Sequence, residues 1–185
     1  MTVALLVALA LVIVALLWTV ITYNRLVRLR NEAASGWSGI DVQLKRRADL
    51  IPNLVEVVKG YAAHERETLQ RVTEARAQAL GASGIAQTAA ADAMMTSALT
   101  GLFGVAEAYP DLKASQNFLE LQRELSDAED KIASARRYYN ATVQRLNSMI
   151  QSLPSNLIAS LGGFREREFY RLDDAGERAV PVVSL

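Results

Sequence analysis

The sequence predicts an all-α protein, in which an N-terminal transmembrane helix continues into an antiparallel, up-and-down, four-helix-bundle-like arrangement of long helices. Three observations predict it. Residues 1–24 carry no charged side chain and are dominated by Leu, Val, Ile and Ala. With 4 Pro and 10 Gly in 185 residues, mostly gathered at a few spots, the chain can sustain long uninterrupted helices. Behind the apolar segment, two stretches repeat apolar residues at intervals of three and four, the spacing of an amphipathic helix.

The apolar segment comes first. Residues 3–22 hold 13 Leu, Val or Ile in 20 positions, and at 1.5 Å per residue they cover roughly 30 Å, the thickness of a bilayer's hydrocarbon core. Insertion of those aliphatic side chains is favourable by about 4–8 kcal/mol on translocon scales. Val3, Leu9, Val14, Trp18 and Thr22 mark the span, with Trp18 and Tyr23 suited to the membrane–water boundary. A cleaved signal peptide would need a basic stretch ahead of the apolar run and a small-x-small cleavage site, and neither is present. Arg25, Arg28 and Arg30 follow the span with no basic counterpart before it. The positive-inside rule therefore expects them at the headgroups and the domain in the cytoplasm, leaving the reverse orientation open because large domains translocate despite flanking charge.

The first stripe runs through Leu26, Leu29, Ala33, Trp37, Ile40, Leu44, Ala48, Ile51, Val55, Val58, Ala62, Leu69 and Val72. Nothing between residues 23 and 30 breaks a helix, so the anchor and the first domain helix are expected to be continuous. Pro52 removes a backbone donor and frees the carbonyl of Ala48, and because the apolar phase continues across it, a kink at Pro52 and Asn53 is expected, with a break into two helices near Asp49 as the alternative. The Gly81-Ala82-Ser83-Gly84 run ends this element. A helix over about 85–108 follows, with Ala86, Ala90, Ala93, Met94, Leu102, Phe103 and Ala106 as its expected core. Tyr109-Pro110-Asp111 turns the chain, and Ser115 or Asn117 caps a long helix whose stripe is Phe118, Leu121, Leu125, Ala128, Ile132, Ala135, Tyr139, Val143, Leu146, Ile150 and Leu153, closed by Pro154. A short helix over 156–161 ends at Gly162-Gly163. The resulting organisation is a transmembrane anchor over 1–23, a bundle over 24–164 and an extended tail over 165–185, whose last residues, 179–185, favour β structure.

Composition and motifs exclude much chemistry. The chain has no cysteine, and its 20 basic residues balance 20 acidic ones, so neither thiol chemistry nor nucleic-acid binding is expected. His64 is the only histidine; His64-Glu65-Arg66-Glu67-Thr68 fails the HExxH zinc pattern because Thr68 stands where the second ligand belongs. His64 reads instead as a solvent-facing helix residue. No phosphate loop, nucleophile elbow or dinucleotide fingerprint is present. Lys45-Arg46-Arg47 is the densest charge cluster, but on an upright helix it stands roughly 33 Å beyond Tyr23, out of electrostatic reach of the membrane. Pairing with Asp41 and Asp49 accounts for it. Asp127, Glu129 and Asp130 read as a solvated helix face with i,i+4 partners, and Asn24, Asn53, Asn140 and Asn147 as structural amides near the stripes. No catalytic, cofactor or metal residue is assigned.

Residues 23–65, YNRLVRLRNEAASGWSGIDVQLKRRADLIPNLVEVVKGYAAHE, and 106–150, AEAYPDLKASQNFLELQRELSDAEDKIASARRYYNATVQRLNSMI, resemble the signature of the LemA family, as does SLPSNLIASLGGF over 152–164. The resemblance implies a bacterial inner-membrane protein with one N-terminal span, its N-terminus outside and a four-helix-bundle-like domain in the cytoplasm. It implies no particular biochemical activity. One family relative takes part in building magnetosome membranes, and members are often encoded beside a membrane metalloprotease. The expected function is thus a non-enzymatic, membrane-anchored scaffold in envelope or membrane organisation, the alternative being a regulatory adaptor of a membrane metalloprotease or envelope-stress pathway. Its expected partners are the lipid bilayer, further copies of the chain and a membrane protease or other envelope protein, with no nucleic acid and no small-molecule substrate.

Overall fold

The computed structural model describes residues 1–171, which form α1 (Thr2–Tyr61), α2 (Arg66–Gly81), α3 (Gly84–Ala106), α4 (Pro110–Ala114), α5 (Gln116–Gln151) and α6 (Ser155–Leu161). No strand occurs among the described residues, so the all-α expectation holds. The expected β-prone stretch over 179–185, and all of the tail past Arg171, lie outside the described residues.

α1 runs for 60 residues from the uncharged segment past Trp37 and through Pro52. The continuity of anchor and domain helix follows from the absence of any breaker near Tyr23. At Pro52 the helix continues although the carbonyl of Ala48 has lost its intrahelical donor. Arg76 on α2 supplies a replacement, its Nε donating to that oxygen at 2.9 Å. Asn53, the nearest amide by sequence, is exposed.

The end of α1 corrects the reading of one helix as far as Val72. The helix stops at Tyr61, and Glu65 N donates to the carbonyl of Ala62 at 3.1 Å in a tight turn. Residues 63–67, Ala-His-Glu-Arg-Glu, bring no large apolar side chain to the core, and Gly60 weakens the preceding turn. Ala62, Leu69 and Val72 are nevertheless all buried. The stripe positions were right, but they are shared between two helices. Tyr109, just before α4, donates its hydroxyl to Glu65 Oε1 at 3.0 Å and pins this turn. That bond, then burial and the carboxylate charge, raise the Tyr109 pKa.

The chain divides into two compact units. One comprises Met1–Gly39 and Ala135–Phe169. Its core is Leu26 and Leu29 of α1, Leu146 of α5, Ala159 of α6, and Phe164. α1 and α5 run antiparallel here: Glu32 faces Arg145 at 3.9 Å, and Trp37 meets Tyr139 with ring centroids 6.0 Å apart. A Cβ on Gly36 would lie 3.3 Å from the Tyr139 Cα and 3.2 Å from the Tyr138 ring, so glycine permits a close helix approach. Residues 164–169 form neither helix nor strand and are held by α5. Asn147 Nδ2 donates to the Arg167 carbonyl at 2.8 Å while its Oδ1 accepts from Arg167 N at 2.9 Å. Tyr139 donates to the Glu168 carbonyl at 2.9 Å, and burial raises its pKa. Leu153 is not core; it follows the end of α5 and is 79% exposed.

The other unit comprises Ile40–Ser134 with Tyr170 and Arg171. Five helices supply its apolar core, among them Ile51, Leu54 and Val58 of α1, Val72 of α2, Met95 and Leu102 of α3, Leu112 of α4, and Phe118 and Leu125 of α5. Short connections join successive helices: Ala82 and Ser83 between α2 and α3, with Gly84 at φ +76°, and α4 between α3 and α5. Ser115, not Asn117, immediately precedes α5, so the Asn117/Glu120 pair lies inside the helix.

The face of α3 differs from expectation. Leu102 and Ala106 are buried and Ala93 and Phe103 half-buried, but Ala86, Ala90 and Met94 are exposed; Thr88, Ala89, Ala91, Asp92, Met95 and Leu99 face the interior instead. In α3 polar residues such as Gln87, Thr88, Asp92, Thr96 and Thr100 are mixed among small apolar ones on several sides, so periodicity gives it no phase. By length and composition both α1 and α3 could cross a membrane. In α1 the apolar window is fully exposed, whereas α3 packs a charged residue, Asp92, into the core.

The Arg76 contact predicts a specific coupling. Arg76→Met should destabilise the full chain by about 1.5–3 kcal/mol, the usual loss for a hydrogen bond from a charged donor. In a Pro52→Ala background, where the helix satisfies its own carbonyl, that loss should shrink by at least half. Denaturant titration of the four chains of this double-mutant cycle checks it.

Candidate functional site

The densest polar constellation lies within the Ile40–Ser134 unit and centres on Arg47 of α1, which is 2% exposed. Its Nη2 donates to Asp92 Oδ1 of α3 at 2.5 Å, and its Nη1 donates to Glu129 Oε2 of α5 at 2.7 Å and to Thr96 Oγ1 at 3.2 Å. Thr96 in turn donates to Glu129 Oε1 at 3.1 Å. The second oxygen of Asp92 accepts the Tyr170 hydroxyl at 2.8 Å. A guanidinium taken out of water needs charged partners such as these, since its desolvation otherwise outweighs any Coulombic gain. Both carboxylates are fully engaged, which leaves neither as a free base or ligand. A cavity of about 210 Å³ adjoins the cluster, lined by Asp41, Lys45, Arg47, Thr88, Asp92 and Met95 among others.

Arg46 and Arg47 of the Lys45-Arg46-Arg47 run make structural pairs, as expected, but with partners other than Asp41 and Asp49. Arg46 reaches Asp127 of α5 at 3.5 Å, and Asp127 also takes Lys131 one turn on at 2.7 Å. The Lys131 hydrogen bond lowers the Asp127 pKa, with Arg46 adding to the same effect. Glu129 is more than a solvated helix acid. A signal in the sequence could have found Arg47: it falls three residues after Leu44 and four before Ile51, on the apolar stripe itself, while Lys45 and Arg46 lie off it and are exposed. Asp92 carries no such signal, because the helix around it has no distinct apolar stripe against which to place it.

The other sequence-derived residues are dispersed. Val3, Leu9 and Val14 are 72%, 54% and 62% exposed, as a lipid-facing helix requires, and Trp18 is half-exposed, but Thr22 is buried in the first unit. Arg25 and Arg28 line a groove between α1 and α5. Arg30 instead lies over the Phe164 ring, its guanidinium carbon 5.4 Å from the centroid. Pro52 and Asn53 are exposed within the helix. His64 is exposed, in the turn after α1 rather than on a helix. Among the described residues no group of three or more His, Cys, Asp or Glu side chains could hold a metal ion.

Residues 36–185 match the model of the LemA family. The chain belongs to this family. It is 30% identical to Protein LemA of Metamycoplasma hominis over 81% of this chain and 72% of the relative. It is also similar to two magnetosome proteins: MamQ of Magnetospirillum gryphiswaldense, 25% identical over 88% of this chain and 68% of the relative, and MamQ 2 of Paramagnetospirillum magneticum, 26% identical over 98% and 76%. These are not the names of enzymes, and the apolar α1 segment suits a LemA protein anchored at a membrane.

The buried cluster predicts unequal effects of removing its members. Asp92→Leu strands the Arg47 charge and should destabilise the LemA domain by about 3–5 kcal/mol, whereas Arg47→Met combined with Asp92→Leu should recover most of that loss. Glu129→Gln, at the half-exposed rim, should cost far less than Asp92→Leu. Chemical denaturation followed by circular dichroism reads all three; a double variant no more stable than Asp92→Leu alone would refute the account.

Proposed function

We propose that this LemA-family chain is a non-enzymatic helical scaffold anchored in the bacterial inner membrane, with its N-terminus outside and its domain in the cytoplasm, where it self-assembles or docks envelope partners. One observation carries the reading: α1 passes without a break from fully exposed apolar residues into the core of the first unit, where Leu26, Leu29 and Ala33 are buried. A flexible tether would leave the domain's height and tilt free, but a continuous helix fixes both, and fixed geometry serves assembly. Arg25, Arg28 and Arg30, directly after the span, support the cytoplasmic placement. The magnetosome relatives support membrane organisation as the setting.

Two inserted glycines after Tyr23 separate anchoring from geometry. The variant should stay in the membrane through carbonate extraction, yet its crosslinked oligomer yield, or partner capture, should drop several-fold. Unchanged assembly would mean that the anchor is only a tether. Sedimentation showing monomers alone, with no partner crosslinked in cells, would sink the scaffold reading itself.

A further inference from the structure

Within the first unit, the end of the apolar segment meets a groove of about 740 Å³ between α1 and α5, within the size range of ligand pockets. Asn24, Arg25 and Arg28 line it from α1, and Arg145 and Ser148 from α5, with Ser152 just past that helix. Arg145 is already committed, donating to Thr142 and facing Glu32. Arg25 and Arg28 have no ion pair or hydrogen bond among the described residues. With Glu32 the one acid in its lining, the groove keeps an excess of positive charge. Its depth is set by the helix rise. Arg25 stands about 4.5 Å and Arg28 about 9 Å beyond Thr22, within and at the outer edge of a headgroup layer that is roughly 5–8 Å thick.

A second, independent feature occupies the same level. α6 is tied there because Ala159 packs with Leu26, and Phe164 meets the Tyr23 ring edge-on at 5.5 Å. Yet Leu157 and Leu161, one turn apart on α6, are 60% and 88% exposed, and Leu153 just before it is 79% exposed. Three bare leucines on and just before a short helix whose other face is core, next to the end of the apolar segment, form a footprint suited to a lipid surface.

We propose that this end of the protein is a lipid-binding site: Arg25 and Arg28 hold the phosphate of an anionic phospholipid in the groove between α1 and α5, while Leu153, Leu157 and Leu161 embed in the bilayer beside it. Forked guanidinium donors match phosphate oxygens, and Ser148 and Ser152 offer hydroxyls to the same headgroup. Arg30 takes no part, being stacked on Phe164. The site rests on the reading of residues 3–22 as a membrane span.

The full chain, reconstituted in phosphatidylcholine vesicles containing spin-labelled phosphatidylglycerol or phosphatidylcholine, tests it. The wild type should retain the anionic lipid preferentially, and each of Arg25→Gln and Arg28→Gln should lower that preference roughly five-fold. Arg30→Gln should leave most of it, and Arg25→Lys with Arg28→Lys should keep part of it with no change in thermal unfolding. Equal loss in Arg30→Gln would reduce the effect to general surface charge and overturn the groove. So would displacement of the lipid by inorganic phosphate at matched ionic strength, which would make it a free-anion site. Because the chain has no cysteine, a nitroxide on Leu157→Cys reports depth cleanly. It should be oxygen-accessible and shielded from an aqueous nickel chelate, unlike a label on Gln78→Cys; equal chelate access at both would remove the leucine footprint. Carbonate release of the wild type would sink the span and the site together, whereas retention without lipid preference sinks the site alone.

Discussion

The buried guanidinium of Arg47 constrains the Ile40–Ser134 unit more than any apolar contact does. Apolar packing is forgiving of small rotations, because one methyl replaces another at little loss. A charge at 2% exposure is not. Arg47 requires an acceptor from α3 and another from α5, and Asp92, once buried by that pairing, requires a further donor, which Tyr170 provides. Each requirement fixes the rotation or the path of a separate element. This matters most for α3, whose sequence marks no single apolar face and so leaves several orientations open. The ion pair chooses among them, which is a specificity role rather than a stabilising one.

That division explains what could be read in the sequence. The stripes of α1 and α5 were legible because those helices have one wet and one dry face, so periodicity carries their phase: every apolar residue assigned to the α1 stripe from Leu26 to Ala62 is buried or half-buried. On α5 the same is true from Phe118 to Ile150. α3 was legible as a helix but not as a face, and Met94 and Met95 differ in burial for a reason located on α1 and not in α3. The turn at residues 62–65 was hidden because the apolar positions on either side of it belong to the same core, and periodicity does not report which way the chain runs between them. The arginines that follow the apolar segment were visible as a group. Their division into two that line a groove and one that stacks on an aromatic ring depends on Phe164, more than 130 residues away in the chain.

α1 joins two surfaces of opposite character in one helix. Over residues 3–21 every turn is apolar and exposed, and from Thr22 onward only one face is buried. The change happens within a turn, with Ile21 exposed and Thr22 and Leu26 buried. A helix can make this change without a joint because its backbone is fully paired in either medium, and only side-chain identity needs to alter. The absence of a joint then has a mechanical consequence for the first unit, since any tilt of the exposed apolar segment is carried directly to Leu29 and Ala33 and the α5 side chains against them.

The amides near the stripes show the complementary problem, that of an irregular segment placed against a helix. Residues 164–169 have no ladder or helix to satisfy their backbone, and polar backbone groups that lose water must find partners. An asparagine side chain carries both a donor and an acceptor in the arrangement of a peptide unit. Asn147 therefore treats Arg167 as a neighbouring strand would, accepting from its N–H and donating to its carbonyl. An alanine or leucine at this position would extend the stripe of α5 and leave both backbone groups bare. The asparagine that looks like a flaw in the apolar pattern is what allows the chain to leave α6 and travel along α5 as far as Tyr170, whose hydroxyl meets the carboxylate of Asp92.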